Sequence, residues 1–94
     1  VKVATWNVNG IRAREAQVAE WLGAERPDVA CLQELKAAPE QVPALLAAPA
    51  DYWALWHGGG PYSGVALLVR RDRAAAPPAF FHPPFDVEHR IVAA

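Results

Sequence analysis

Glu34 stands directly after Val29-Ala30-Cys31-Leu32-Gln33, a run without charge, so whatever buries that run also places the carboxylate. Asn7 lies near the end of another short segment, Val1 to Val8, which is β-branched, aromatic and apolar apart from Lys2. A carboxylate and a carboxamide opening into one cleft are hard oxygen donors that suit magnesium. That ion needs only one or two protein carboxylates, because it keeps waters and takes phosphate oxygens for the rest of its shell. Read alone, Glu34 is equally an ordinary solvated charge at a strand end, and Asn7 a loop cap. Gln33, Lys36 and Asn9 surround the pair. Lys36 has the reach to pair with Glu34 or to face a phosphate, and it also reads as a solvated surface lysine. Asn9-Gly10 is simple turn chemistry as well. Arg12 and Arg14 open a helix, where the macrodipole disfavours cations, an oddity that an anionic ligand nearby would relieve. Tyr62-Ser63-Gly64 tips a glycine-rich stretch that suits close approach to a nucleic-acid backbone, or is a plain flexible loop. His57, His82 and His89 show no ligand spacing and read as structural or exposed.

The elements that must position these residues follow from hydrophobic period. Residues 1–8 read as a strand. From about Ala13 to Arg26 the apolar positions Ala13, Val18, Trp21 and Leu22 recur at three- and four-residue steps while Glu15, Glu20 and Glu25 lie off the stripe, which predicts an amphipathic helix. Pro27 ends it. Residues 29–33 form a second strand, apolar on both faces. Strand, helix and strand with short joints make a βαβ unit whose two strands run parallel, and the carboxyl ends of such strands open onto one edge. Pro39 to Ala48 predicts a second short helix with Val42, Leu45 and Leu46 inward. Residues 52–57 and 65–69 read as the strands of an antiparallel hairpin joined by Gly58 to Gly64. Arg70 to Pro84 is a polar, proline-rich connection, and Arg90 to Ala94 begins another strand.

Composition narrows the function classes. The 94 residues allow one small domain or part of a larger one, and 53% hydrophobic content supports a folded core. With 20% charged residues and a formal net charge of -1, neither a basic nucleic-acid tail nor an acidic tail is present, so phosphate would be met by local geometry and a cation. There is no apolar window long enough for a membrane helix and no signal-peptide pattern at the first residues. Cys31 is the only cysteine, which excludes an intramolecular disulfide and a cysteine zinc site, favours a small buried hydrophobe in a strand, and suits the cytoplasm. The absence of Met suggests a processed, trimmed or partly recorded chain.

Three blocks together resemble exodeoxyribonuclease III and the apurinic/apyrimidinic endonucleases of the endonuclease/exonuclease/phosphatase superfamily. They are Thr5-Trp6-Asn7-Val8-Asn9-Gly10-Ile11-Arg12-Ala13, Pro27-Asp28-Val29-Ala30-Cys31-Leu32-Gln33-Glu34-Leu35-Lys36 and Tyr62-Ser63-Gly64-Val65-Ala66-Leu67-Leu68. The resemblance implies an α/β (α+β) fold, the N-terminal portion of a four-layer αββα sandwich with mixed β-sheets, the C-terminal remainder of the domain lying beyond residue 94. It implies a magnesium-dependent nuclease, with manganese as an alternative, that cuts double-stranded DNA 5′ to abasic sites and trims 3′ ends as a monomer. Glu34 maps onto a magnesium ligand. Asn7 maps onto the residue that holds the scissile phosphate beside the metal, and Asn9 onto one that supports the metal shell. Lys36, Arg12 and the tip Tyr62, Ser63 and Gly64 map onto DNA contacts. Asp86 to Ile91 looks like the acidic-x-Arg stretch that opens the next strand. The base that activates water, and the family's later aspartates, asparagine and histidine, have no counterpart in these residues. Two other readings stay open: another superfamily phosphoesterase such as a phosphoinositide phosphatase, and a non-catalytic fragment that only binds or packs.

Overall fold

Alternation of small and large apolar side chains makes the central element of this molecule a sheet with two unlike faces. In the computed structural model, which describes residues 1–74 and 76–80, β1 (Val3–Asn7) pairs in parallel with β2 (Val29–Gln33). A hairpin of β3 (Tyr52–His57) and β4 (Val65–Arg70) adds to β2 through β4, giving the order β1-β2-β4-β3. The first pair is parallel and the other two antiparallel, so β1, β2 and β3 all point their carboxyl ends to one edge. The sequence-based expectation of parallel strands with Asn7 and Glu34 at one edge therefore agrees with the structure.

Register decides which side chains share a face. Ala4, Ala30, Leu68 and Ala54 form one row and Trp6, Leu32, Ala66 and Trp56 the next, all on the face covered by helices. Against these rows pack Val18 and Leu22 of α1 (Glu15–Glu25) and Leu46 of the one-turn helix α2 (Ala44–Ala47). Trp6 meets Trp21 edge to face at 5.4 Å between ring centroids, a geometry favoured by the ring quadrupoles. Trp56 donates its Nε1–H to the Ala47 carbonyl at 2.9 Å, which ties α2 to β3. The opposite face carries Val3, Thr5, Cys31, Gln33, Val65, Leu67, Val69, Trp53, Leu55 and His57, and these stay half-buried or exposed. The Trp53 corner of this face is dressed by the Arg71 guanidinium 3.7 Å from its ring and by the Ala74 carbonyl. Cys31 lies on this face, half-buried, and burial pushes its thiol up from the usual value, which disfavours the reactive thiolate.

Several local expectations change. β1 covers 3–7, not 1–8, and as an edge strand it is exposed on alternate residues, with Val3 65% exposed. The first helix starts at Glu15. Arg12–Arg14 form a 3₁₀ turn that leads into α1, with Arg14 at its N-cap, so the arginines do stand at the helix opening as expected, and Glu15 occupies the first turn as the dipole favours. Ala13 is exposed and does not join the buried stripe. The helix closes on Arg26 with φ 42, whose N–H reaches the Leu22 carbonyl, a left-handed cap just ahead of Pro27. The second helix breaks in two, a 3₁₀ turn at Pro39–Gln41 and then α2, because Pro43 forces Val42 into an extended conformation. Val42 and Leu46 point inward as expected, but Leu45 is 61% exposed, since a single turn buries only one side. The expected strand at Arg90 to Ala94, the Asp86 to Ile91 stretch, His82 and His89 lie outside the described residues.

Candidate active site

Three loops meet at the carboxyl edge of the sheet, and residues 34–36 are the middle one. Continuing from β2, they receive the loop after β1 on one side: Val8, Gly10 and Ile11 donate their N–H groups to the carbonyls of Gln33, Glu34 and Leu35 at 3.0, 2.8 and 2.9 Å. On the other side the β3–β4 hairpin accepts, with Leu35 N–H to the Gly64 carbonyl at 3.1 Å and Lys36 N–H to the Ser63 carbonyl at 2.8 Å. Backbone bonds alone thus assemble Asn7, Asn9, Glu34, Lys36, Ser63 and Gly64 within one patch.

The chain bends sharply to do this. Asn9, Glu34, Lys36 and Ser63 have φ between 47 and 54, in the left-handed region. For residues with a Cβ that region costs roughly 1–2 kcal/mol each. Asn tolerates it through local hydrogen bonding, but Glu and Lys have no such help. Strain held at a cluster of polar residues points to function more than to folding convenience. Two glycines make the close approach possible. A Cβ on Gly58 would sit 2.2 Å from the Ala37 carbonyl oxygen, and one on Gly64, at φ +96, would press on Leu35 at 3.0 Å.

The side chains divide into the engaged and the unengaged. Asn7 accepts the Asn9 N–H on Oδ1 at 3.1 Å, which leaves its Nδ2–H₂ donors facing away from the turn. Lys36 Nζ donates to Asn9 Oδ1 at 2.6 Å and makes no ion pair with Glu34. Arg12 is exposed and reaches only the Lys36 carbonyl, at 3.4 Å. Tyr62 is 81% exposed at the hairpin tip. The half-buried Glu34 carboxylate is held by no ion pair or hydrogen bond to a described residue. Among the described residues no group of three or more His, Cys, Asp or Glu is gathered for a metal, whereas magnesium needs only one or two protein carboxylates. Glu34 and Asn7 are hard oxygen donors, which suit that ion. Asn9 Oδ1 accepts the Lys36 ammonium just as Asn7 Oδ1 accepts the Asn9 N–H, and each oxygen keeps a second lone pair.

Two contributors escape a reading by residue type. Leu35 holds the patch together through its backbone, and Gln33 ties β2 to β1 by donating Nε2–H to Thr5 Oγ1 at 2.7 Å. The uncharged run before Glu34 marks Gln33 as unusual, but only register shows its partner.

Comparison with known proteins shows the family and the fold. The sequence is 33% identical over 99 residues to the DNA repair nuclease APEX1 of Danio rerio, covering 100% of this chain and 32% of that protein. It is 33% identical over 94 residues to exodeoxyribonuclease III of Haemophilus influenzae, covering 100% of this chain and 35% of that protein. The chain thus spans about a third of the length of these curated relatives. Among solved structures, the 3′-5′ exonuclease NExo of Neisseria meningitidis superposes with a TM-score of 0.81 at 31% identity, over 98% of this chain and 36% of that one. Its mixed sheet and helices match those described above. A sequence model of the Endonuclease/Exonuclease/phosphatase family matches residues 4–94. With its motif blocks, its fold and its edge of strained polar loops accounted for together, the chain belongs to the endonuclease/exonuclease/phosphatase family.

Proposed function

We propose that the chain is the N-terminal part of a single endonuclease/exonuclease/phosphatase domain and that the whole protein is a DNA repair nuclease, hydrolysing phosphodiester bonds 5′ to abasic sites and at 3′ ends. The observation that carries this is the Glu34 carboxylate, unpartnered among the described residues and standing at the same sheet edge as the Asn7 amide and the hairpin tip. A buried or half-buried carboxylate without a partner is costly unless a cation completes it. Glu34, with Asn7 beside it, would hold magnesium, manganese being the substitute. When bound, that ion stabilises charge on the phosphoryl oxygens and the leaving group. Asn7 does a separate task. With Oδ1 committed to the Asn9 N–H, its Nδ2–H₂ group donates to a phosphate oxygen and orients the scissile bond. Arg12 and the hairpin tip of Tyr62, Ser63 and Gly64, where Tyr62 is exposed, Ser63 half-buried and Gly64 buried, meet the DNA backbone on either side. Substrate choice then follows DNA shape and deformability more than base edges.

The half-exposed sheet face supports the domain reading. A face of Val, Leu and Trp side chains calls for a second layer, and a second sheet from the remainder of the domain would complete the four-layer sandwich. A monomer in a reducing compartment such as the cytoplasm suits the lone thiol, and no helix among the described residues is long and apolar enough to cross a membrane.

The test compares turnover by the full-length protein of a duplex carrying one abasic site with turnover of an inositol phosphate, both in magnesium. Cleavage of the duplex with no phosphate released from inositol supports the nuclease. The reverse result assigns the site to a phosphoinositide phosphatase.

A further inference from the structure

A lysine beside a phosphate site is ordinarily taken for a phosphate contact. Lys36 is committed elsewhere. Its ammonium donates to Asn9 Oδ1 at 2.6 Å, a short bond with a charged donor, the kind that is stronger than a neutral pair. Asn9 in turn donates its backbone N–H to Asn7 Oδ1 at 3.1 Å. The links form one chain, from ammonium to carboxamide to backbone N–H to the amide proposed to orient the phosphate. The other end of Lys36 is equally fixed. Its backbone N–H donates to the Ser63 carbonyl at 2.8 Å, its carbonyl accepts Arg12, and its φ of 54 aims the side chain back over the asparagine loop.

We propose that Lys36 is a positioning residue for Asn7, acting through Asn9, and not a contact to the DNA phosphate. This rests on the nuclease reading above. Without the lysine, Asn9 loses the bond that fixes its side chain in a left-handed turn, and the Asn7 carboxamide becomes free to rotate. Lys36 thereby joins the hairpin that carries Tyr62 to the loop that carries Asn7, so the DNA-facing tip and the phosphate-facing amide are held in register.

The two roles predict different measurements on the full-length protein. A phosphate contact contributes to salt dependence, so its loss lowers the slope of log affinity against log salt by about one, weakening binding broadly. A positioning residue leaves that slope alone and lowers kcat. For Lys36→Met we expect binding of an uncleaved abasic-analogue duplex, measured in EDTA across a salt series, to keep the parent slope. On a cleavable duplex in magnesium, kcat should fall at least about tenfold with KM little changed, because orientation of the reacting phosphate is lost. Lys36→Arg, which can still donate to Asn9, should recover most of the rate. Asn9→Gly keeps the left-handed turn and the N–H but removes the acceptor. It should lose as much as Lys36→Met, and the double variant should lose no more than either, as expected of residues acting in one chain. Independent of activity, amide hydrogen exchange at Asn9 should accelerate in Lys36→Met, with the melting temperature showing that the fold persists. A slope lower by about one with kcat unchanged would overturn the proposal, and so would unaltered exchange at Asn9. A parent protein that binds but does not cut the abasic duplex would overturn the nuclease reading instead, while the exchange result still decides whether Lys36 holds the asparagine loop.

Discussion

The same sheet has two edges that treat charge in opposite ways. At the edge away from the site, Asp28 is only 5% exposed and every part of it is engaged. It accepts the Lys2 backbone N–H and the Arg73 guanidinium, and Arg70 Nη2 lies 2.8 Å from Oδ1. Arg70 also donates to the Arg26 carbonyl and pairs with Asp72 at 2.7 Å. Tyr52 hydroxyl caps the Pro27 carbonyl at 2.7 Å, and burial holds that phenol above its usual range. At the site edge, Glu34 is half-buried and meets no such ring of donors among the described residues, and the backbone around it is strained. Two carboxylates, each adjoining β2, one just ahead of Val29 and one just after Gln33, thus have opposite fates. Asp28 is satisfied by the fold, which makes it a clamp. Glu34 meets no such partner among the described residues, which is why it is the centre of the proposed site.

That contrast is open to breakage, beginning with the largest effect. On the proposed reading the general base belongs to the remainder of the domain, so purified residues 1–94 should not cut DNA: loss of a general base alone is worth about 10²–10⁴ in rate and loss of positioning groups multiplies it. Cleavage of an abasic-site duplex within tenfold of the full-length protein would show that the catalytic centre lies wholly within this edge. Glu34→Gln in the full-length protein should lower activity at least about a hundredfold at saturating magnesium, the typical cost of losing one such electrostatic contribution, while the melting temperature stays near the parent value. Activity within threefold would remove Glu34 from the site.

Asp28→Asn should do the reverse. Hydrogen bonding from the Lys2 N–H, then from Arg73, with the charges of Arg73 and Arg70, holds the Asp28 carboxyl below its ordinary 3.8 against the opposing effect of burial. A carboxylate whose folded pKa is depressed binds fewer protons folded than unfolded. Its stabilisation is therefore fully present above about pH 4 and declines as pH falls through the lowered folded value. The variant should melt earlier at neutral pH, lose part of the acid-dependent fall in stability, and keep the parent kcat per folded molecule. Equal melting temperatures of variant and parent at pH 7 would show that the clamp is ornamental. The smallest effect belongs to the rim of that edge. Arg26 and Asp51 pair at 3.1 Å but are 49% and 65% exposed, so Asp51→Asn should change stability by less than about 1 kcal/mol, and less still at high salt.

Much of the site edge was legible from residue type and period. Asn7 and Glu34 end strands of a βαβ unit, and parallel pairing puts them at one edge whatever else the chain does. Asn9-Gly10 announced a left-handed turn, and both have positive φ. The clamp edge was not legible. Pro27-Asp28 looks like a joint between helix and strand, and only when β4 runs back beside β2, bringing Arg70 and Arg73 to positions 42 and 45 residues away, does Asp28 become a buried charge. The arginines at 12 and 14 were legible as a helix opening, but helix period does not separate the 3₁₀ turn they form from the first turn of α1 at Glu15.

What the sequence by itself determined is what depends on neighbours along the chain: strand and helix identity, the handedness that makes β1 and β2 parallel, the stop at Pro27, and the placement of Asn7 and Glu34 on one side. Period-2 and period-3.6 patterns encode these directly. What only the tertiary structure decided is what depends on residues far apart in sequence. The insertion of β4 between β2 and β3 sets one such case, and the outward turn of Leu45 beside Pro43 shows how a one-turn helix yields to its packing. The left-handed backbone at Glu34 and Lys36 is another, because it is imposed by Gly10 and Ile11 bonding from one side and Ser63 and Gly64 from the other. The partner of Lys36 is the last. A flexible four-carbon arm reaches Glu34, a phosphate or Asn9 equally well on paper, and the choice falls to Asn9 because the bends on both sides bring that oxygen to 2.6 Å.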